Sequence, residues 1–152
     1  MRKTLPLAVA VVLILSLALA ACGSSKPDSV ARGEEVAADQ GCYGCHGDRG
    51  VGGIGNSGSP LDTVPGWQTK AFAEVFGDED GKPDREKIAF MINEGAEAYY
   101  ETYMAHDAAA QTIARTISGW ERQMPGYKGV LTPKEVEDLV DFIISLNPFF
   151  ED

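Results

Sequence analysis

The sequence predicts an all-α domain, and three observations support that prediction. Apolar residues recur at helical spacing after Val30 and again after Thr132. Residues typical of helix caps stand at the start of both segments. The cysteines at residues 42–46 lie in no alternating apolar and polar pattern of the kind that strands show. A chain of 152 residues, 44% of them apolar, is long enough for one domain with appendages.

Composition excludes two classes of protein. The chain has 23 acidic and 13 basic residues, which gives a net charge of −10. Nucleic-acid-binding proteins need a basic face that neutralises phosphates, so we expect no nucleic acid among the partners. Three cysteines at uneven spacing are too few for a small disulfide-stapled fold.

Residues 1–21 have the pattern of a signal peptide. Arg2 and Lys3 form a short basic start, and an apolar run from Leu5 to Ala20 follows them. This run is short for a transmembrane span, which needs about 20 apolar residues. We therefore expect the segment to direct export.

The residues around Cys22 resemble the lipobox of bacterial lipoproteins, since Leu-Ala-Ala stands directly before that cysteine. The resemblance implies cleavage before Cys22 and acylation of its thiol and new N-terminus. Residues 22–28 then form a polar tether, and the domain occupies residues 29–152. We expect a lipid-anchored protein at the cell membrane, facing the periplasm or the extracellular side. An uncleaved signal anchor and ordinary cleavage, with Cys22 incidental, are the alternatives.

The first helix is predicted to begin at Val30, with Ser29 as its N-cap. A glycine inside a helix costs roughly 1 kcal/mol relative to alanine, so a close crossing with a second helix at Gly33 is the expected compensation. The apolar face comprises Val30, Gly33, Val36 and Ala37.

Residues 42–46 read C-Y-G-C-H and match the C-x-x-C-H motif of covalent haem attachment. Two thiols three residues apart lie on one side of a helical turn, where each can form a thioether with a haem vinyl group. Cys42 and Cys45 are therefore predicted to hold one haem c covalently, and His46 to be the proximal iron ligand.

Two other interpretations of this motif are weaker. A thioredoxin-like redox pair requires a βαβ context, and a zinc site requires further Cys or His ligands. If Cys22 carries lipid, His106 is the only such residue left in the chain.

The middle of the chain is predicted to be a loop followed by short helices. Residues 47–66 are rich in glycine and have no helical period, so we expect an ordered loop rather than a linker inside a small domain. Helices are predicted over Thr69–Phe76, Asp84–Asn93 and Glu97–Ser118.

Met124 is the predicted sixth ligand of the iron. Pro125 and Gly126 follow it and favour a turn, so its thioether projects from a loop rather than from a helix face. Thioether ligation raises the reduction potential relative to two imidazoles. Met91 has helical spacing with Ile88 and Ile92, which is typical of a core residue. The alternatives to Met124 are Met91, Met104 and His106.

The last helix is predicted from Thr132-Pro133-Lys134-Glu135, which has the pattern of a capping box with proline at the first helical position. The helix is expected to end at Asn147-Pro148. Its apolar stripe comprises Val136, Leu139, Val140, Ile143 and Ile144.

A first helix that ends in the haem motif, a Met-Pro-Gly loop and a capped last helix together resemble a monohaem class I cytochrome c. The resemblance covers residues 29–76 and 117–149. It implies the class I cytochrome c fold, in which the two terminal helices cross beside the haem. It also implies a proline carbonyl that accepts a hydrogen bond from the second nitrogen of the histidine ligand. Pro60 matches that position, with Pro65 as the second choice.

One segment of the chain has no counterpart in the family that it resembles. Residues 96–118 exceed the length usual in the family and imply an extra helical insertion. We interpret the insertion as a decoration packed over the haem pocket, and a docking surface or subunit contact is the alternative.

The same resemblance implies a one-electron carrier in a respiratory or photosynthetic chain, and not an enzyme. Iron with His and Met ligands leaves no position for a small-molecule substrate, and the protein contributes ligands, burial and orientation. Two alternatives stay open. One is a fixed cytochrome c subunit of a larger membrane redox complex, and the other is a haem enzyme or sensor with a labile sixth ligand.

The acidic residues predict a redox partner with a basic patch. Electrostatic steering would then make electron transfer slow as salt rises, because added ions screen the attraction. A merely solvated acidic face is the alternative. The residues in question are Asp78, Glu79, Asp80, Glu94, Glu97 and Glu101.

Overall fold

The computed structural model describes residues 27–104, 106, 108–116 and 119–150. The predicted signal peptide, Cys22 and the tether up to residue 26 lie outside the described residues. So do residues 117–118, at the end of the third helix predicted for the middle of the chain.

The described part of the chain is built from α-helices, and it has isolated bridges but no strand. This confirms the predicted all-α fold. No helix in that part is both long and apolar enough to cross a bilayer. The helices are α1 (Asp28–Asp39), α2 (Tyr43–His46), α3 (Lys70–Phe76), α4 (Arg85–Tyr103), α5 (Ala108–Thr116) and α6 (Pro133–Leu146), and a 3-10 turn spans Asp48–Gly50.

The first and last helices cross at Gly33. A Cβ atom at this position would lie 2.0 Å from the carbonyl oxygen of Asp138 and 2.7 Å from the Cβ atom of Phe142. Since real side chains never approach so closely, the glycine allows α1 and α6 to touch backbone to backbone. The close crossing predicted from this glycine is confirmed.

The start of α1 differs from the sequence-based expectation. Asp28 is its first residue, and the extended Pro27 stands at the N-cap position. Ser29 therefore lies in the first turn and is not the cap. Its hydroxyl is hydrogen-bonded to Asp141 of α6 instead, because the crossing brings that carboxylate within reach.

A buried carboxylate ties the two crossed helices together. Asp138 of α6 accepts hydrogen bonds from Arg32 Nε at 2.7 Å and Arg32 Nη2 at 3.0 Å. Lys134 Nζ donates to the same carboxylate at 2.6 Å. The side chain of Asp138 is only 3% exposed, so these donors offset the cost of burying its charge.

The predicted capping box of α6 is present. Thr132 Oγ1 accepts a hydrogen bond from Glu135 N at 3.3 Å, and the Glu135 carboxylate accepts one from Thr132 N at 2.7 Å. Pro133 occupies the first helical position. Val136, Leu139, Val140 and Ile143 are buried as predicted, and Ile144 is partly buried.

The middle helices place an aromatic cluster beside the core. α3 begins after Thr69, whose hydroxyl accepts from Phe72 N, and it ends at Phe76 as predicted. Tyr99 of α4 is buried, with its ring 5.1 Å from that of Phe76 and 5.1 Å from that of Tyr103. The first part of the extra segment is thus packed against the domain.

Helix α4 runs past its expected end, but its axis breaks where the sequence predicts a stop. Gly95 has φ 85° and ψ 178°, which lie outside the helical region. The stretch predicted as one helix over Glu97–Ser118 is divided, because α4 ends at Tyr103 and α5 begins at Ala108.

Candidate functional site

A cavity of about 160 Å³ lies between α2, α3, α4, α6 and the loops that join them. Close-packed protein interiors leave few voids larger than a water molecule, so a cavity of this size marks a place for another group. Its walls are mainly apolar and include Ile88 and Ile92 of α4 and Leu139 and Ile143 of α6.

The structure brings four of the five predicted haem-site residues to this one cavity. Cys42, Cys45, His46 and Met124 all line it, although the histidine and the methionine are 78 positions apart in the sequence. Pro60 is not among the lining residues. The sequence signals for the two ligands were independent of each other, so their meeting is informative.

The two thiols lie on a single turn of helix. Cys45 N and His46 N both donate to Cys42 O, at 3.2 and 2.9 Å, and α2 follows at once. Both cysteines are free thiols and partly buried. Burial raises the pKa of the Cys42 thiol, which keeps the group neutral. A thioether is neutral as well, so attachment to a vinyl group would leave no charge in the apolar wall.

The His46 ring is oriented by one hydrogen bond. Its Nδ1 lies 3.1 Å from the carbonyl oxygen of Pro65. A carbonyl only accepts, so Nδ1 carries the proton and Nε2 keeps the lone pair that binds a metal. Burial lowers the pKa of His46, and the bond to Pro65 opposes that effect. The ring is therefore held neutral, which is the form that ligates iron.

The acceptor is Pro65, and the assignment of this role to Pro60 is wrong. Gly53 N donates to Val64 O, and Val64 N donates to Ile54 O, so the loop folds back on itself. Pro60 lies at the exposed tip of that fold, whereas Pro65 lies on its returning arm. The returning arm is the one that passes the histidine.

Trp67 is a site residue that the sequence analysis missed. Its ring centroid lies 4.8 Å from that of His46, and it is 4% exposed. Gly50 makes room for the indole, because a Cβ atom there would lie 2.1 Å from Trp67 Cε3. The signal available in the sequence was a large aromatic residue two positions after a proline in the loop.

The alternative ligands lie at different positions relative to the cavity. Met91 also lines the cavity, from α4, so both it and Met124 reach the site. Met104 is packed against the core, and neither it nor His106 is among the lining residues. His106 is exposed.

One hydrogen-bond donor at the cavity wall indicates an occupant that carries acceptors. Among the described residues, the Trp120 Nε1 atom is buried without a hydrogen-bond partner. A buried unsatisfied N–H group costs about 1–3 kcal/mol, so it points to a missing acceptor. Trp120 lines the cavity, and so does Arg122, whose Nε donates to Gly55 O at 3.0 Å. The propionate groups of a haem are acceptors of the required kind.

These features fit a haem and do not fit a bare metal ion. Within the described ranges, no group of three or more Cys, His, Asp or Glu side chains could hold a metal. The wall instead combines two thiols, one oriented imidazole, two thioethers and a large apolar surface.

Comparison with known families agrees with this geometry. The family model for cytochrome c matches residues 30–147, which is most of the 152-residue chain. Searches of curated proteins and of solved structures gave no match.

Proposed function

Because the chain belongs to the cytochrome c family, we propose that it is a membrane-tethered one-electron carrier with a single haem c. In this proposal Cys42 and Cys45 hold the haem, and His46 and Met124 ligate its iron. Family membership by itself makes the chain a haem-binding electron carrier with covalent attachment of the cofactor. The observation that supports the finer proposal is the single cavity that these residues share.

The haem supplies one-electron exchange between the ferric and ferrous states of its iron. The residues of this chain supply orientation and surroundings. The Pro65 carbonyl and the Trp67 ring hold the imidazole of His46 in one orientation with Nε2 free. The apolar wall disfavours net charge, and a thioether from Met124 favours the reduced state and thus a higher potential.

Replacement of the sixth ligand is the sharpest test of this proposal. Met124→Ala should lower the reduction potential and abolish the weak far-red absorption band that methionine-bound ferric haem shows. Met91→Leu is the matched control, because Met91 lines the same cavity from α4 and leucine keeps its bulk. The control should retain both the band and the potential.

The opposite pattern would move the ligand to Met91, and a band that persists in both variants would move it to Met104. Absence of the band from the wild type would remove methionine from the iron and favour the haem enzyme or sensor, in which the sixth position accepts a substrate or gas. Potentiometric titration and visible spectra of the purified holoproteins distinguish these cases.

We further propose that lipid on Cys22 tethers the domain to the membrane and that its partner is another redox protein or complex there. Cys22→Ser should move the haem protein from the membrane fraction to the soluble fraction of the cell. A variant that has lost residues 1–21 and still stays with the membrane would contradict the tether. Wild-type protein solubilised in detergent should emerge alone if it is a mobile carrier, and a co-purifying redox complex would favour a fixed subunit.

A further inference from the structure

The break in α4 at Gly95 frees backbone groups that bind the methionine loop. In a continuous helix, the N–H of Ala96 would donate to the carbonyl of Ile92. Here Ala96 N donates to Met124 O at 3.1 Å, and Ile92 O accepts from Tyr127 N at 2.9 Å. Groups that an unbroken helix would pair internally are thus paired across to the loop.

The two segments meet through a pair of glycines. A Cβ atom at Gly95 would lie 2.8 Å from Gly126 N and 2.8 Å from Met124 O. A Cβ atom at Gly126 would lie 2.5 Å from Asn93 O. Lys128 N extends the contact by donating to Asn93 O at 3.0 Å. The loop therefore lies directly on the backbone of α4, with no side chain between them.

The other end of the loop is held by the glycine-rich loop. Arg122 N donates to Asn56 Oδ1 at 2.8 Å, and Glu121 N donates to Ser57 O at 3.0 Å. Met124 lies between these two points of attachment. Of the two, the helix break is the one that bonds the backbone of the methionine itself.

We propose that Gly95 is a positioning residue for Met124: the helix break fixes the backbone from which the thioether enters the cavity. This inference rests on the proposed role of Met124 as the iron ligand. A methionine side chain has three rotatable bonds and adapts easily, so a fixed backbone is needed to hold its sulfur in one place. Any side chain at position 95 would force α4 and the loop apart.

The test compares two glycines in the holoprotein. Gly95→Ala should weaken or remove the far-red band, lower the reduction potential, and increase the apparent affinity of ferric protein for added imidazole about tenfold, as 1.4 kcal/mol of lost ligation would. Gly129→Ala is the control, because Gly129 has a similar φ of 78° but no atom within 4 Å of the added Cβ. The control also places alanine at a positive φ and should keep the band, the potential and the imidazole affinity.

The outcomes separate this inference from the proposed function. If Met124→Ala removes the band but Gly95→Ala keeps the band, potential and imidazole affinity of the wild type, the positioning role is overturned and the ligand stands. If Met124→Ala keeps the band, the proposed ligand itself fails.

A second measurement needs no variant at position 95. When saturating imidazole displaces Met124 in the ferric wild-type protein, hydrogen exchange at the Ala96 and Tyr127 amides should become faster, because loop and helix break stabilise each other. The Leu139 amide in α6 is the internal reference. Unchanged protection of Ala96 and Tyr127 would overturn the inference even if Gly95→Ala does not fold.

Discussion

The two sides of the cavity are built in different ways. On the histidine side, Cys42, His46, Pro65 and Trp67 lie within residues 42–67, and a single turn and one returning loop arm bring them together. On the methionine side, Met124 O accepts a hydrogen bond from Ala96 N of α4, and Arg122 N donates to Asn56 Oδ1, which is 66 residues earlier in the sequence. One side is set by local structure, and the other depends on tertiary packing between distant segments.

This difference explains why the two ligands have unequal sequence signals. The C-x-x-C-H spacing by itself predicts how its residues are arranged, since both thiols and the imidazole belong to one turn. Met-Pro-Gly predicts only a turn. It does not exclude Met91, which reaches the same cavity from a helix. If Gly95 positions Met124 as inferred above, the break in α4 is what makes Met124, and not Met91, the ligand.

The largest expected effect tests the histidine side. Gly50→Ala places a Cβ atom 2.1 Å from the Trp67 ring at a residue with φ 75°. Overpacking of about 1–3 kcal/mol and left-handed strain of about 1 kcal/mol should together lower the free energy of unfolding by about 3 kcal/mol. Guanidinium unfolding of the holoprotein measures this loss.

Gly53→Ala is the matched control for that experiment. Gly53 has φ 80°, but nothing lies within 4 Å of the added Cβ, so only the backbone strain of about 1 kcal/mol remains. If the two sides are as separate as the structure indicates, folded Gly50→Ala protein keeps its far-red band. Loss of the band in Gly50→Ala but not in Gly53→Ala would show that the histidine side also positions Met124.

The sequence predicts this fold well wherever a residue acts on its own neighbours. The capping box at Thr132, the helical turn over residues 42–46 and the end of α3 at Phe76 need only nearby partners, and all are found in the structure. Gly33 was predictable at longer range because a glycine inside a helix weakens that helix, and a close approach by another backbone compensates for the loss.

The predictions that were wrong concern residues whose partners are chosen by the folding of the chain and not by sequence spacing. Pro60 and Pro65 both suit a loop, and the choice between them depends on which arm of the fold passes His46. Ser29 suits an N-cap, but the Asp141 carboxylate from the far end of the chain takes its hydroxyl. Trp120 Nε1 can be recognised as a donor to the site only in the folded chain, because folding buries it beside the cavity.

The smallest expected effect concerns the crossing of α1 and α6, the second of which lines the cavity through Leu139 and Ile143. Hydrogen bonds from Arg32 hold the pKa of Asp138 at about 2, against the effect of burial and with help from Lys134. A lowered carboxyl pKa stabilises the folded state above the ordinary value near 4, and this stability is lost as the pH falls from about 4 to 2. Because Arg32 is half-exposed and screened by solvent, we expect a loss of about 1–2 kcal/mol.

Unfolding measured at pH 4 and pH 2 in Asp138→Asn tests this assignment. The variant should be less stable at neutral pH, but its stability should fall less on acidification than that of the wild type. Part of the acid-dependent loss of stability should remain in the variant because of Asp141. Burial alone would raise the pKa of that group, but hydrogen bonds from Ser29 and Arg85 lower it. Glu137→Gln is the control, since it removes one charge from an exposed position of α6 and should leave the full acid loss.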